Sequence, residues 1–334
     1  MTPEPFVVEP VHLEPVDRVS ITVLVDNVAD LLLPSEGPVH RPSLFAGPTI
    51  PVAVFEGPGP DVVRAEHGYS ALVTVGVKGT DHRILFDTGI SPDGMVENMR
   101  RLDIDPTGVE AVVMSHGHLD HTGGLGGFID AVGRANIPLL LHPDFWLRRR
   151  IVVPGADPIE IPSPSRRALE AGGFEIVEDA RPGFLLDDAL LVTGEVARTT
   201  PFETGFPPHQ AFRDGSWVPD PWIRDDQAIV VNLRGRGLVV LTGCGHAGIV
   251  NIVRHAMALT GVDRVHAIVG GFHLSGGSFE QIIGDTVAGL ATVGPDLLVP
   301  GHCTGWRAQH ALAAAMPDAY VHPVVGTRLE LTGA

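Results

Sequence analysis

The stretch Val113-Met114-Ser115-His116-Gly117-His118-Leu119-Asp120-His121-Thr122-Gly123-Gly124 constrains this chain more than any other. It places three histidines and one aspartate within six residues, directly after the apolar run 109–114. Imidazole and carboxylate are the usual protein ligands of zinc and related divalent metals, and a strand end or tight loop can aim them at a common point. His116 and His118, two apart, project to the same side of an extended backbone. Asp120 and His121 follow where the chain turns toward a helix. The layout can feed two adjacent metal positions, so one or two divalent ions are expected, zinc first, with manganese and iron as alternatives. Gly123-Gly124 permits a close turn and backbone approach to whatever the metals hold.

The composition narrows the partners. Against 40 Asp+Glu stand 23 Lys+Arg, a formal charge of −17. A surface of that sign repels phosphate backbones and anionic lipid, so the expected partner is a small molecule rather than nucleic acid or membrane. A homodimer is left open. Cys244 and Cys303 are too few for a disulfide framework and suit a reducing compartment. No basic-then-apolar leader opens the sequence and no run of about 18 apolar residues occurs, so the expectation is cytoplasmic.

At 334 residues and 44% hydrophobic, the chain has room for two average domains or one large α/β domain. Residues 1–17, acidic and interrupted by Pro3, Pro5, Pro10 and Pro15, read as an extended arm, loose or laid over a neighbour. A β-branched strand follows at 19–25. The Pro- and Gly-dense segment 34–60 reads as a long loop able to cover an active site. Strands at 71–77 and 83–86, a helix at 95–102, the motif strand, and further strands and helices at 138–142, 166–171 and 189–193 alternate as in a layered α/β architecture. The second half repeats this with strands at 228–233, 237–241, 265–269 and 297–299 and helices at 249–259 and 279–293. The reading is one domain over 18–334 with two structural halves, about 18–196 and 197–334.

Three other strand ends carry chemistry. Thr242-Gly243-Cys244-Gly245-His246-Ala247-Gly248 runs from an apolar strand into a glycine-rich turn and a helix, and nominates His246 as a ligand. Cys244 is a small buried residue, a thiolate ligand or a polar neighbour of the metal. Pro300-Gly301-His302-Cys303-Thr304-Gly305 nominates His302, with Cys303 as packing. In Gly270-Gly271-Phe272-His273-Leu274, His273 is a ligand, a proton donor, a substrate contact or a structural histidine. Asp87, ending a strand, either orients a ligand histidine or caps a turn.

Together with Ala65-Glu66-His67-Gly68-Tyr69-Ser70, Phe86-Asp87-Thr88-Gly89, Thr193-Gly194-Glu195-Val196 and Asp225-Asp226-Gln227-Ala228, these segments resemble the metallo-β-lactamase superfamily. They are similar in particular to its branch around dihydropterin ribofuranosyl-aminobenzene phosphate synthase. The resemblance covers about 19–331. It implies an αββα sandwich of two mixed sheets with outer helices, with a mononuclear or binuclear metal site at one edge. Many binuclear members take a bridging carboxylate from a Gly-Asp pair and a further histidine from a Pro-Gly-His-Thr turn. Here Gly243-Cys244 stands for the first and Thr199-Thr200-Pro201-Phe202-Glu203 for the second, leaving the number of metals and the bridge open. Asp225, Asp226 and Glu203 are carboxylate substitutes, structural residues or substrate contacts, and His67 is a substrate contact.

The chemistry implied is a water made acidic by metal held on His116, His118 and His246, with a second position near Asp120, His121 and His302. Asp120 is the alternative base, and His273 joins it as a catalytic candidate. The preferred function is a hydrolase acting on a small, anionic ester, phosphoester or lactone. The alternatives are a pterin-pathway ribofuranosyl-aminobenzene phosphate transfer and a metal-binding sensor without turnover. The expected pocket is formed by the 34–60 loop, the 203–221 segment and His273, with Phe202, Phe206, Phe212, Trp217 and Trp222 as an apolar wall.

Overall fold

Alternation of apolar and polar residues in Arg18–Val25 turns Val19, Ile21 and Val23 inward, each 1% exposed. That strand pairs antiparallel with Ser70–Val77 on one side and with the final strand, Arg328–Thr332, on the other. Ser70–Val77 folds back on Thr80–Phe86 through Lys78 and Gly79, both at positive φ, a backbone that matches the right-handed twist of a two-residue hairpin. Parallel strands Ala111–Val113 and Pro138–Leu141 extend the sheet, which has eight strands in the computed structural model describing residues 9–45 and 47–334.

A six-stranded sheet packs on it. Ile21, Val73, Phe86 and Val113 of the first sheet meet Ile229, Val231, Val239, Leu241, Val269 and Val299 of the second in one buried cluster. Outside the first sheet, helices Gly94–Arg101 and Leu125–Val132 bury Met95, Met99, Leu125 and Phe128 against Leu85, Val112 and Leu139. Outside the second, Ile249–Thr260, Ile283–Val293 and Trp306–Ala315 do the same with Ile252, Val253, Leu290 and Leu312. The order helix, sheet, sheet, helix is the layered α/β architecture expected from the sequence.

Parallel pairing positions the site. Gly237–Thr242, Val265–Gly271 and Leu297–Gly301 run side by side with Thr242 opposite Gly270 and Gly271 opposite Gly301. Their next residues, Gly243-Cys244, Phe272-His273 and His302, therefore emerge at one edge. In the other sheet Thr80–Phe86 and Ala111–Val113 end in register at Phe86 and Val113, delivering Asp87 and the 115–121 loop to the same edge.

Four features differ from the sequence expectations. Segment 34–60 contains strands Val39–His40, Thr49–Pro51 and Pro58–Pro60 and lies beside the end of helix Gly94–Arg101, away from the metal-motif edge. It is held there by Arg41, which donates to Thr327 Oγ1 at 2.7 Å, and at its exit by Asp61, which binds Arg100 and Arg101. The sheets interleave along the chain: Gly183–Leu185 and Leu190–Val192 join the second sheet, while Arg328–Thr332 returns to the first. Residues 9–17 of the acidic arm lie along the six-stranded sheet and its helix, with Val11, Glu14 and Val16 donating to the carbonyls of Leu259, Asp188 and Asn232. Residues 1–8 of the arm fall outside the described residues. A small four-stranded sheet, ordered Ile159–Ile161, Arg149–Ile151, His209–Arg213 and Ser216–Pro219, has no counterpart in the sequence reading.

That small sheet is tied down by a buried ion pair. Arg149, 2% exposed, makes two hydrogen bonds to Asp225, which is fully buried and also accepts from Gly117 N at 2.9 Å. Asp225→Ala would leave the guanidinium buried without this partner and release the Gly117 amide. Equilibrium urea unfolding is expected to show a loss of about 3–5 kcal/mol.

Candidate metal centre

The motif loop is shaped by close backbone approaches. A Cβ at Gly117 would lie 2.3 Å from Phe145 O and one at Gly123 would lie 1.9 Å from Ile90 O, so only glycine fits at either position. His118 stands at the N-terminus of the short helix Leu119–Thr122, which turns Asp120 and His121 toward the second sheet.

Across that edge the donor atoms converge in three overlapping groups, each within 4.8 Å: His116, His118 and His246; Asp120, His121, Cys244 and His302; and Cys244, His246 and His273. All six residues proposed from the sequence as ligands, together with Cys244 and His273, thus meet in one place. The Nε2 atoms of His116, His121 and His246 are buried and have no hydrogen-bond partner. Buried polar atoms are nearly always satisfied, so three idle imidazole nitrogens beside a carboxylate and a thiol form a donor set that fits divalent metal.

The opposite ring atoms are held. His121 Nδ1 lies 2.7 Å from Asp87 Oδ2, His116 Nδ1 2.9 Å from Ser115 Oγ, and His302 Nδ1 3.2 Å from Asn27 Oδ1. Asp87, at φ 56°, also accepts from Ser115 N at 2.7 Å and Ser115 Oγ at 2.6 Å. Asp87 is thus hydrogen-bonded to a histidine of the donor cluster. Such partners set tautomer and ring angle for the nitrogen that faces a metal.

Burial, reinforced by the charges of neighbouring histidines and of Arg149, pushes His116 and His118 well below the usual imidazole range. Burial and the surrounding histidines do the same to His246. These rings are therefore neutral, the form that binds metal. His121 behaves oppositely. Burial opposes its charge, yet Asp120 and Asp87 outweigh that and raise it to about 9. Burial likewise opposes the Asp120 carboxylate, and His121 and His302 outweigh it and draw Asp120 below the ordinary range. Burial, with Cys303 beside it, pushes the Cys244 thiol up. Metal entering the Asp120 side would thus displace protons from His121 and Cys244.

The centre forms the floor of a cavity of about 540 Å³. Phe206, Phe279, Ile151, Ile161 and Ile223 supply apolar walls, with the Phe206 and Phe279 ring centroids 5.4 Å apart and Phe279 4.4 Å from His273. His67, largely exposed, stands at the mouth with Nε2 3.7 Å from Asp120 Oδ2. Neither Glu203 nor Asp226 lines this cavity. Glu203 accepts from Val250 N and Asn251 N at the start of helix Ile249–Thr260 and from Thr200 Oγ1, and Asp226 accepts from Ala247 N at 2.7 Å. Their carboxylates hold the turn that carries His246, as Asp225 holds the motif loop. Among its described residues, the 34–60 loop contributes no wall. Of the five expected aromatics only Phe206 lines the cavity: Phe202 packs in the second core, Phe212 and Trp217 pack on each other under Arg148, and Trp222 lies under Arg198.

Sequence reading misses His209, whose Nε2 lies 3.2 Å from His118 Nε2 and whose Nδ1 lies 3.0 Å from Asp220 O. It sits in Pro207-Pro208-His209-Gln210 with no other ligand type nearby, and only pairing with Arg149–Ile151 brings it to the site. Asp87→Asn, which keeps the side-chain shape but weakens the grip on His121 and Ser115, is expected to lower metal affinity about 10- to 100-fold in chelator-competition titrations, with unfolding still cooperative.

Comparison with known proteins follows the same lines. A solved metal-dependent hydrolase of the beta-lactamase superfamily superposes with a TM-score of 0.68 at 25% identity, covering 94% of this chain and 99% of that one. The 7,8-dihydropterin-6-methyl-4-(beta-D-ribofuranosyl)-aminobenzene-5'-phosphate synthase of Methanocaldococcus jannaschii is 29% identical over 254 residues, 74% of this chain and 83% of its own. An uncharacterized protein of the same organism is 30% identical over 259 residues, 77% of this chain and 91% of its own. Residues 63–253 match the family described as the metallo-beta-lactamase superfamily, and together with the layered fold this shows that the chain belongs to that superfamily.

Proposed function

We propose that the chain is a metal-dependent hydrolase acting on a small ester, lactone or phosphoester with an apolar or ring-bearing body. The observation that carries this reading is the convergence of two neighbouring donor groups, linked through Cys244, at the floor of an apolar-walled cavity. His116, His118 and His246, and Asp120, His121, Cys244 and His302, would hold divalent metal, which when bound would supply Lewis acidity at a carbonyl or phosphoryl oxygen and would lower the pKa of water.

The chain's own groups do the rest. Asp120 keeps its side chain 20% exposed toward the cavity, and a carboxylate so placed accepts the proton of the attacking water. His273, at φ 47° with Nδ1 3.5 Å from Cys244 Sγ, is the group we assign to protonate the departing oxygen. Phe206, Phe279, Ile151 and Ile161 exclude water and hold the apolar body. No lysine or arginine lines the cavity, so an anionic substrate group is received by metal and by histidines such as His67.

A second reading is favoured by the similarity to the M. jannaschii synthase. A cavity walled by Phe206, Phe279 and the His273 ring suits a flat heterocycle, and the same proton-handling groups would serve ribofuranosyl-aminobenzene phosphate coupling.

Metal-loaded protein should be offered simple esters, lactones and phosphodiesters, and separately assayed for the synthase's named product. We expect His246→Ala to lose bound metal by elemental analysis, from about two ions per chain. His273→Ala should keep its metal and lose roughly 10²–10⁴-fold in kcat. Full turnover after chelation defeats both readings, and product formation without hydrolysis of any test ester selects the second.

A further inference from the structure

Cys244 and Cys303 are the two cysteines in 334 residues and lie 59 positions apart, yet the fold brings their sulfurs to 3.2 Å. Cys244 follows the strand Gly237–Thr242, and Cys303 sits in the 3₁₀ turn His302–Thr304 two strands away. The strand between them, Val265–Gly271, ends in glycine here: a Cβ on Gly271 would meet Cys303 Sγ at 2.8 Å and Gly243 O at 2.5 Å. The absence of that side chain is what lets the sulfurs approach. Both cysteines line the cavity, so a small oxidant reaches them through the substrate's route. Cys303 belongs to none of the three donor groups, whereas Cys244 belongs to two.

We propose that Cys244 and Cys303 form a reversible disulfide under hydrogen peroxide, and that this bond withdraws Cys244 from the metal centre. The part concerning metal rests on the hydrolytic metal site proposed above. The Cys303 sulfur takes one peroxide oxygen as the O–O bond breaks, giving a sulfenic acid and one water. The Cys244 sulfur then displaces that oxygen as a second water, and the S–S bond forms. Two electrons leave the thiols and reduce one peroxide to two waters. The bond closes at about 2.05 Å, so the sulfurs need move together by only about 1 Å. A Cys244 sulfur engaged by metal is not free to attack the sulfenic acid, so the metal-free chain forms the bond faster.

The test uses the full chain, zinc-loaded and zinc-stripped, titrated with hydrogen peroxide. It is read by peptide mapping without reductant and by metal release to a chromophoric chelator. The expected result is a linked pair of peptides carrying Cys244 and Cys303, formed faster in stripped protein. Zinc affinity should fall at least about tenfold and recover on adding a thiol reductant. Cys303→Ser, which leaves every proposed ligand in place, should bind zinc as wild type does and keep it under the same peroxide. Over-oxidised cysteines with no linked pair overturn the proposal. A linked pair that leaves metal affinity unchanged overturns the switch alone, whereas a reduced chain that binds no metal defeats the hydrolase reading and the switch together.

Discussion

A buried imidazole needs partners for its nitrogens, and at this sheet edge the Nε2 atoms of His116, His121 and His246 have none. The protein secures the other side through Ser115 for His116 and through Asp87 for His121. Much of the local backbone follows from that arrangement. Asp87 adopts a left-handed conformation to collect His121 and both donors of Ser115, and Gly117 and Gly123 press the motif loop against Phe145 and Ile90. Strain and close packing of this kind persist where the surroundings over-determine them.

The electrostatics divide the same cluster in two. On one side His116, His118 and His246 are neutral because burial and mutual repulsion exclude charge. On the other, His121 is held charged between Asp87 and Asp120. Exchange of that proton for a metal would link metal affinity to pH.

The carboxylates outside the cluster have a different task. Asp225 fastens the motif loop to Arg149 and hence to the small sheet. Glu203 and Asp226 fasten the turn ahead of helix Ile249–Thr260. Acidic residues near a metal centre are easily taken for ligands. What separates the two kinds here is that each of these three accepts backbone amides, Asp225 from Gly117, Asp226 from Ala247 and Glu203 from Val250 and Asn251, while Asp120 faces histidines across the cavity floor.

The sequence by itself determined which residues make up the donor cluster and the layered class of fold. Close spacing within His116 to His121 forces those side chains together whatever the rest of the chain does, and strands such as Arg18–Val25 and Gly237–Thr242 are long enough for their apolar pattern to be legible. Asp87, His246, His273 and His302 were legible too, because each lies within four residues of the end of a buried strand. Tertiary structure alone decided which distant strand ends are neighbours, since the parallel registers that set Cys244 beside His302 and Cys303 are long-range pairings without a local signature. The same holds for the cavity wall. Arg149–Ile151 and His209–Arg213 are strands of three and five residues, too short for their period to declare itself, and only their pairing turns His209, Ile151 and Arg149 inward. The 34–60 segment, whose composition suggested a cover, was placed instead by Arg41 and by Asp61, whose partners lie far along the chain or across the fold and could not be assigned before it formed.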